Sequence, residues 1–498
     1  MPTAKKYVLI DSMQKLIGVT LALTAAFSTQ AADPVYKETL GKRLDYIFKD
    51  EKLNKTKLGV AVYSLTQGES LYERNSEEAL SAASTIKILT ATVALKKLGN
   101  EFTFKTQLRT TGVIRDGVLK GDLYFKGGGD PALVTERLYL LVESFKRYEV
   151  KRIEGNIVVD DSIFSTKGDD SRVIDNALDR PYNAPVNGLS FNYNTTTVYF
   201  RPGFKVGSPV RVYPEPDTEF LEVINRSQTV SGKVNSLRAT RQGGKNGKEV
   251  IVVDGKLGTN AGEQRSYFNV GDGALYAGHA LKMLFKQQGI SVSGQIKRGE
   301  TPGSSKQIVE FDSLPLRDLV LLMNKFSNNF MADSLVKVLG LQSRGAPGTL
   351  ANGLEVIREE ATLMGINRKG FKIDSGSGLS RENRISAKQF VDVLMEGYKN
   401  FGIFPELMTS LPIAAVDGTL RKRMKDSAAA RKLRGKTGTI FGVSALVGVV
   451  QSRGGELLAY AVLMNDNSAE PGAMKPWQNY LGQALSDFNR VAPQGEKK

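Results

Sequence analysis

A serine and a lysine stand three residues apart at Ser84-Thr85-Ile86-Lys87, where an apolar-periodic stretch, Ile86 to Leu98, begins. Two further short motifs follow in order, Ser327-Asn328-Asn329 and Lys436-Thr437-Gly438. Each is weak alone. Together they describe a serine acyl-transfer site in which lysine does the work that histidine does elsewhere. The composition favours that choice, because the chain holds one histidine, His279, and no cysteine. A Ser-His-Asp triad would have to recruit His279, and a cysteine nucleophile is excluded.

Local context selects among the copies of each motif. Ser-x-x-Lys also occurs at Ser12/Lys15, inside an apparent export signal, and at Ser334/Lys337, inside a helical stretch where the serine heads nothing. Ser84 follows the small-residue run Leu80-Ser81-Ala82-Ala83, so it opens a helix with Lys87 one turn on, on the same face. The plainer alternative makes Ser84 a helix N-cap and Lys87 a solvated lysine. Three motifs in order and in suitable context outweigh it. Ser327 precedes a second helical pattern, Phe330 to Leu341, and an N-cap is its plain reading too. The rival Ser190-Phe191-Asn192 lies in a loop-like run, residues 181–194. Lys436-Thr437-Gly438-Thr439 opens an alternating segment that ends near Met464 and turns at Gly454-Gly455. That pattern predicts a hairpin whose first strand is an edge, along which a substrate backbone can lie by β-augmentation.

The surrounding elements follow from length and patterning. With 498 residues, 41% of them hydrophobic, the chain is expected to form two or three domains. Residues 1–32 read as a secretory signal: Lys5, Lys6 and Lys15 precede an apolar run from Leu16 to Phe27, with small residues at Ala31 and Ala32 for cleavage. The apolar run is short for a membrane span, so no stable anchor is expected after cleavage. An exported chain without cysteine fits a bacterial envelope. The net charge of +16 calls for an anionic partner. After export that partner is carboxylate-rich cell-wall polymer rather than nucleic acid. Basic residues concentrate at Arg421-Lys422-Arg423 and Arg431-Lys432-Leu433-Arg434, just ahead of Lys436.

Tyr36 to Asn54 predicts an amphipathic helix, and Leu58 to Tyr63 with Glu69 to Arg74 a hairpin. Ser84 and Ser327 are 243 residues apart, and Ser327 and Lys436 are 109 apart. A compact site needs only a few helices in the first interval. Residues 108–310 therefore read as inserted, strand-rich material forming two domains, with 33–107 and 311–498 as the catalytic part. The Gly127-Gly128-Gly129-Asp130-Pro131 run is a turn, since it lacks the Lys-Ser/Thr that would make it a phosphate loop. His279 falls on the helical pattern Ala274 to Phe285 and reads as structural. Leu316 to Leu341, Ala351 to Met364 and Ala387 to Tyr398 predict helices, and Pro476 to Phe488 a final helix over the sheet.

At this point the sequence resembles the low-molecular-mass class C penicillin-binding proteins, D-alanyl-D-alanine carboxypeptidase/endopeptidases of the peptidase S13 family. The likeness spans nearly all of the chain beyond the signal. It includes the three motifs and their spacing, Gly129-Asp130-Pro131, Asp160-Asp161-Ser162-Ile163-Phe164, Ala184-Pro185-Val186, Leu189-Ser190-Phe191-Asn192, Ser377-Gly378-Leu379-Ser380-Arg381 and Asp417-Gly418-Thr419-Leu420. Asp374-Ser375-Gly376-Ser377-Gly378 carries one residue more than the usual Asp-Gly-Ser-Gly pattern, and Phe441 stands where some relatives have a polar side chain.

The resemblance implies an α/β (α+β) fold, an antiparallel sheet flanked by helices of the serine β-lactamase/DD-peptidase kind, with inserted strand-rich domains. It implies no metal and no cofactor. Ser84 would attack the bond between two D-alanines, Lys87 would take its proton, and burial together with a cationic Lys436 would lower the Lys87 pKa. Ser327 would relay a proton, and Asn329 would hold the substrate amide. Thr437, Gly438 and Thr439 would line the terminal carboxylate and the oxyanion hole. Asp160 and Arg381 would meet across a pocket for the charged stem-peptide side chain, with Phe164 as its apolar wall. The expected partners are peptidoglycan stem peptides and, as inhibitors, β-lactams, in the periplasm, with oligomeric state open. Two other readings compete. A β-lactamase or esterase on the same scaffold would place its motifs closer together, and a non-catalytic wall-binding protein would not need all three intact.

Overall fold

The structure is a computed structural model that describes residues 35–165, 167, 169, 179–244, 247–466 and 468–490. The expected signal segment, residues 1–32, and the tail from residue 493 lie outside the described residues.

Leu433–Ile440, Val443–Gln451, Leu457–Asn465, Lys57–Ser64 and Glu69–Arg74 lie side by side in that order as one antiparallel sheet. The predicted hairpin is thus a three-stranded run with an additional turn at Phe441-Gly442. The strand carrying Lys436 is an edge strand, as its pattern predicts. The middle strands are buried almost throughout, because helices cover both faces. Alternation divides their side chains. Val447, Val449, Ala461 and Leu463 face the Lys87 helix (Lys87–Leu98) and the helices packed with it. Leu446, Val450, Val462 and Met464 face the first helix, Lys37–Phe48, and the last, Lys475–Asp487.

The Lys87 helix is buried on all sides from Lys87 to Leu95, between the sheet and the helices Leu316–Phe326, Asn329–Arg344 and Ala387–Lys399. A helix buried all round is a core element rather than a surface one. That placement sinks Lys87 below the surface.

The long interval between Ser84 and Ser327 departs and returns by neighbouring strands. Lys105–Thr110 pairs antiparallel with Lys306–Asp312, and the expected boundaries at 107/108 and 310/311 fall inside these two strands. They extend a mixed five-stranded sheet with Leu123–Lys126, Ile157–Asp160 and Ile296–Arg298. The helices Thr135–Lys146 and Gly273–Gln287 pack in its core. A separate small apolar cluster, with Val198, Phe200, Ile251, Val253 and Phe268, is enclosed by strands between Thr195 and Asn269. His279 sits half-buried on the Gly273–Gln287 helix, its ring 5.8 Å from that of Phe220. Burial pulls its pKa down to about 4. It plays no part among the motif residues.

Candidate active site

Ser84 lies in a short 3-10 turn, Ala83–Ile86, that runs directly into the Lys87 helix. No side-chain cap forms at either helix start, so Ser84 is not an N-cap. Its Oγ instead lies 3.0 Å from Lys87 Nζ and 3.4 Å from the Ser377 carbonyl. Lys87 Nζ also donates to Asn329 Oδ1 at 2.7 Å and, at short range, to the Ser377 carbonyl. A neutral amine has two N–H donors and one lone pair. The two fixed acceptors take the donors, and the lone pair is left for the Ser84 hydroxyl.

Burial lowers the Lys87 pKa to about 7, against a smaller raising effect of the Asp333 carboxylate. Burial likewise drives Lys436 well below 10.5, and the charge on Lys87 adds to that. Of the two expected causes, burial and a nearby cation, burial inside the helix bundle leads, and the coupling between the two lysines shows as a lowering of Lys436.

Ser327 ends the Leu316–Phe326 helix in a left-handed conformation, φ 56° and ψ 38°. Asn328, not Ser327, caps the next helix, its Oδ1 accepting from Met331 N at 3.0 Å. The kink between two helices turns the Ser327 hydroxyl toward the edge strand, where Lys436 Nζ donates to it at 2.8 Å. Asn329 opens the second helix and reaches Lys87 from the other side. Lys436 Nζ also donates to the Thr437 carbonyl at 2.9 Å. Thr437 Oγ1 is 2.8 Å from Thr419 Oγ1, while Thr439 stands exposed on the open edge. Gly438 passes against the nucleophile segment: a Cβ there would lie 2.4 Å from the Ala82 carbonyl.

Ser84, Lys87, Ser327, Asn329 and Lys436 are thus brought together from three separate chain segments. The rival motifs are elsewhere. Ser334 donates to Phe330 O within its own helix, and Lys337 is tied to Ser165 O and Val186 O. Ser190 is buried, donating to Asn187 O.

The second group of expected residues is not assembled in the same way. Asp160 and Arg381 form no ion pair with each other among the described residues. Asp160 Oδ1 accepts from Ser162 N at 3.0 Å and Ser162 Oγ at 2.7 Å, and Oδ2 accepts from Thr301 N at 2.8 Å. Burial alone would raise its pKa, but these hydrogen bonds outweigh it and hold the carboxyl below its usual range. Arg381 is exposed, its Nη1 donating to Phe441 O at 3.1 Å. Phe164 is no open wall. It is 6% exposed and packs in the interior, paired by a bridge to Gly348.

Sequence reasoning missed two participants. The Ser377 carbonyl, a backbone group, carries no side-chain signature. Asp333 lies four residues after Asn329 on one helix, and that i, i+4 spacing was its only signal.

A serine–lysine pair buried beside an open edge strand, on an antiparallel sheet covered by helices, defines a serine hydrolase of the penicillin-recognising, acyl-transfer class. The chain belongs to the D-Ala-D-Ala carboxypeptidase 3 (S13) family, which it matches over residues 40–483. It is a serine-type D-Ala-D-Ala carboxypeptidase of that family. It is 31% identical to a D-alanyl-D-alanine carboxypeptidase from an Actinomadura species, over 97% of this chain and 90% of the relative. It is 26% identical to the D-alanyl-D-alanine carboxypeptidase DacB of Haemophilus influenzae, over 91% of each chain. The crystal structure of penicillin binding protein 4 from Haemophilus influenzae shares the fold, with a TM-score of 0.74 at 24% identity over 89% of this chain and 98% of that one. A predatory endopeptidase from Bdellovibrio bacteriovorus shares it more distantly, with a TM-score of 0.51 at 16% identity over 88% of this chain and 96% of that one. No helix among the described residues is long and apolar enough to cross a membrane.

Proposed function

We propose that Ser84 is the nucleophile of a peptidoglycan DD-peptidase that both trims terminal D-alanine and opens D-alanyl cross-links. The observation that carries this reading is the 3.0 Å approach of Ser84 Oγ to a buried Lys87 whose pKa is about 7. At neutral pH a large share of Lys87 is already a free amine. Ser84 Oγ bonds to the carbonyl carbon of the penultimate D-alanine while its proton passes to Lys87 Nζ. The backbone N–H groups of Ser84 and Thr439 receive the oxyanion. The carbon–nitrogen bond then breaks as the proton taken up by Lys87 is relayed through Ser327, bonded to Lys436, to the leaving amine, which leaves Lys87 neutral again. Water adds to the acyl-enzyme carbonyl by the reverse route and releases the acid, regenerating Ser84.

A terminal carboxylate at Lys436, Thr437 and Thr439 would favour the charged form of Lys436, against the lowering that burial imposes on it. With its Oδ1 committed to Lys87, Asn329 offers its NH2 to a substrate carbonyl. Asp160, ionised and held rigid by Ser162 and Thr301, is a preformed acceptor for a stem-peptide ammonium, with Arg381 on the opposite rim. Phe164 supports that region from beneath. Residues 33–107 and 311–498 serve as the catalytic part and 108–310 as the insert; two apolar clusters lying between residues 108 and 309 support that division, while a third, with Phe164 and Val186 beside Leu316 and Phe330, spans the join. The exported chain would act in the periplasm after loss of its signal peptide.

A labelled penicillin should acylate this same hydroxyl. Mass spectrometry of the trapped protein should locate the adduct on Ser84 and find none in Ser84→Ala. An adduct on Ser327, or labelling that survives Ser84→Ala, would overturn the assignment.

A further inference from the structure

The strand that carries Lys436 is not open along its whole length. Gly435 N donates to Pro412 O at 2.9 Å, and Ile413 bridges Arg434, so the free edge begins at Thr437. There the short helix Gly418–Leu420 closes the cleft through the Thr419–Thr437 contact. The next residues are the most basic run of the chain. Residues 421–434 hold seven lysines and arginines against one acid, Asp426.

This run is a fixed surface. Met424 and Ala429 are buried in the core beneath the last helix. Arg423 Nη2 donates to Asn479 Oδ1 at 2.7 Å and Gln478 Oε1 at 3.1 Å. On either side of this anchor Arg421, Lys422 and Lys425 are exposed. None of the three ion-pairs with a carboxylate among the described residues. Elsewhere on the surface lysines and arginines regularly do, as Lys105 does with Asp312 and Arg201 with Glu263.

Position gives the patch its meaning. In the mechanism above the scissile carbonyl sits at Thr439 and the group beyond it at Thr437. At its Thr437 end the strand meets Thr419, two residues before Arg421. Whatever leaves with the amine is therefore delivered to the basic run. In trimming, that group is one D-alanine, already satisfied at Lys436. In opening a cross-link, it is a second stem peptide that carries carboxylates of its own.

We infer that Arg421, Lys422 and Lys425 form a docking site for the carboxylates of the leaving strand of a cross-linked substrate, and so bias the enzyme toward cross-link cleavage. The inference rests on the DD-peptidase reading. Exposed cations act here through summed attraction, which steers encounter and is screened by salt.

The test compares two soluble substrates in the triple variant Arg421→Ser, Lys422→Ser, Lys425→Ser: a cross-linked muropeptide dimer and a monomeric stem pentapeptide ending in two D-alanines. At low salt, kcat/KM on the dimer should fall by about tenfold or more, and its salt dependence should flatten. Pentapeptide turnover and labelling by penicillin should stay near parental values. Equal losses on both substrates, or no loss on the dimer, would overturn the inference. So would loss of binding to anionic phospholipid vesicles with dimer cleavage intact, because the run would then be a membrane contact. A parent protein inert on both substrates and unlabelled by penicillin would overturn the peptidase reading itself.

Discussion

Lys87 concentrates the chemistry of this site in one proton. Its folded pKa of about 7 lies below the ordinary 10.5, so between those values the unfolded chain binds a proton that the folded chain does not. Stability must then rise with pH across that window, with a cost on the order of 5 kcal/mol present at its acid end. Lys436 contributes in the same direction. Thermal melts from pH 7 to 10 should show the parent gaining stability, and Lys87→Met should show a shallower rise; identical slopes would mean that Lys87 is not held neutral. Acylation by penicillin should rise with pH through about 7 in the free enzyme. Lys87→Ala should slow acylation by about 10²–10⁴-fold, the usual cost of removing a general base, with the fold kept. Normal rates in that variant would identify another base. At this scale the sequence was informative because side-chain types carry the chemistry, and a chain with one histidine leaves few choices. The Ser377 carbonyl was invisible, since every residue has one. Asp160 was identified by type, and its bonds from Ser162 are local, but the bond from Thr301 depends on a loop 141 residues later. Asp160→Ala should slow hydrolysis of a peptide bearing a free side-chain amine, with a loss of about 1.5–3 kcal/mol for one charge-assisted hydrogen bond. Penicillin acylation should stay near normal, and equal loss on both would reduce Asp160 to a brace of the fold.

Elements place these residues through their ends rather than their middles. Ser84 is presented by a 3-10 turn entering a helix, Ser327 by a left-handed residue between two helices, and Lys436 by an edge strand. Helix and strand periodicity predicted the three elements. Their joints follow from contacts that periodicity does not encode. The helical stretch from Leu316 to Leu341 divides at Ser327, just ahead of the second helical pattern expected from Phe330, but the left-handed turn there and the cap on Asn328 were not legible. The extra turn at Phe441-Gly442 was hidden because its flanks alternate as one continuous strand would. Close approach between the edge strand and the nucleophile turn is the tightest of these joints. A Cβ on Gly438 would meet the Ala82 carbonyl at 2.4 Å, and backbone on both sides cannot step aside cheaply. Gly438→Ala should therefore move the strand off the Ser84 turn. We expect penicillin acylation to fall by about 10²-fold, the scale of a displacement near 1 Å in a catalytic array, with most of the fold kept. Parental acylation in a folded Gly438→Ala protein would show that strand and turn need not touch.

The whole molecule is held together where the long interval between Ser84 and Ser327 rests on the helices. Lengths alone indicated inserted material, because a compact site cannot use 243 residues between two motifs. What joins the two regions includes the Ser-x-x-Lys pair that heads nothing, Ser334/Lys337. Lys337 is fully buried on the Asn329 helix. Its Nζ donates to Ser165 O at 2.7 Å and Val186 O at 2.9 Å, pairs with Asp169 at 2.7 Å, and lies 5.8 Å from the centre of the Phe164 ring. Those partners all come from the interval between Ser84 and Ser327, so one ammonium collects two stretches of it, near residue 165 and at Val186, onto the Asn329 helix. Removing a partner from a buried ion pair costs about 3–5 kcal/mol, because the remaining charge and carbonyls are left in a dry interior. Lys337→Met fills nearly the same volume without the charge, so packing is not the variable. Denaturant unfolding should show a loss of about that size. Penicillin acylation per folded molecule should remain close to parental, since Lys337 points away from Ser84 into the other region. Loss of acylation without loss of stability would mean that the tether acts on the site itself, and that the two regions are coupled in catalysis as well as in folding.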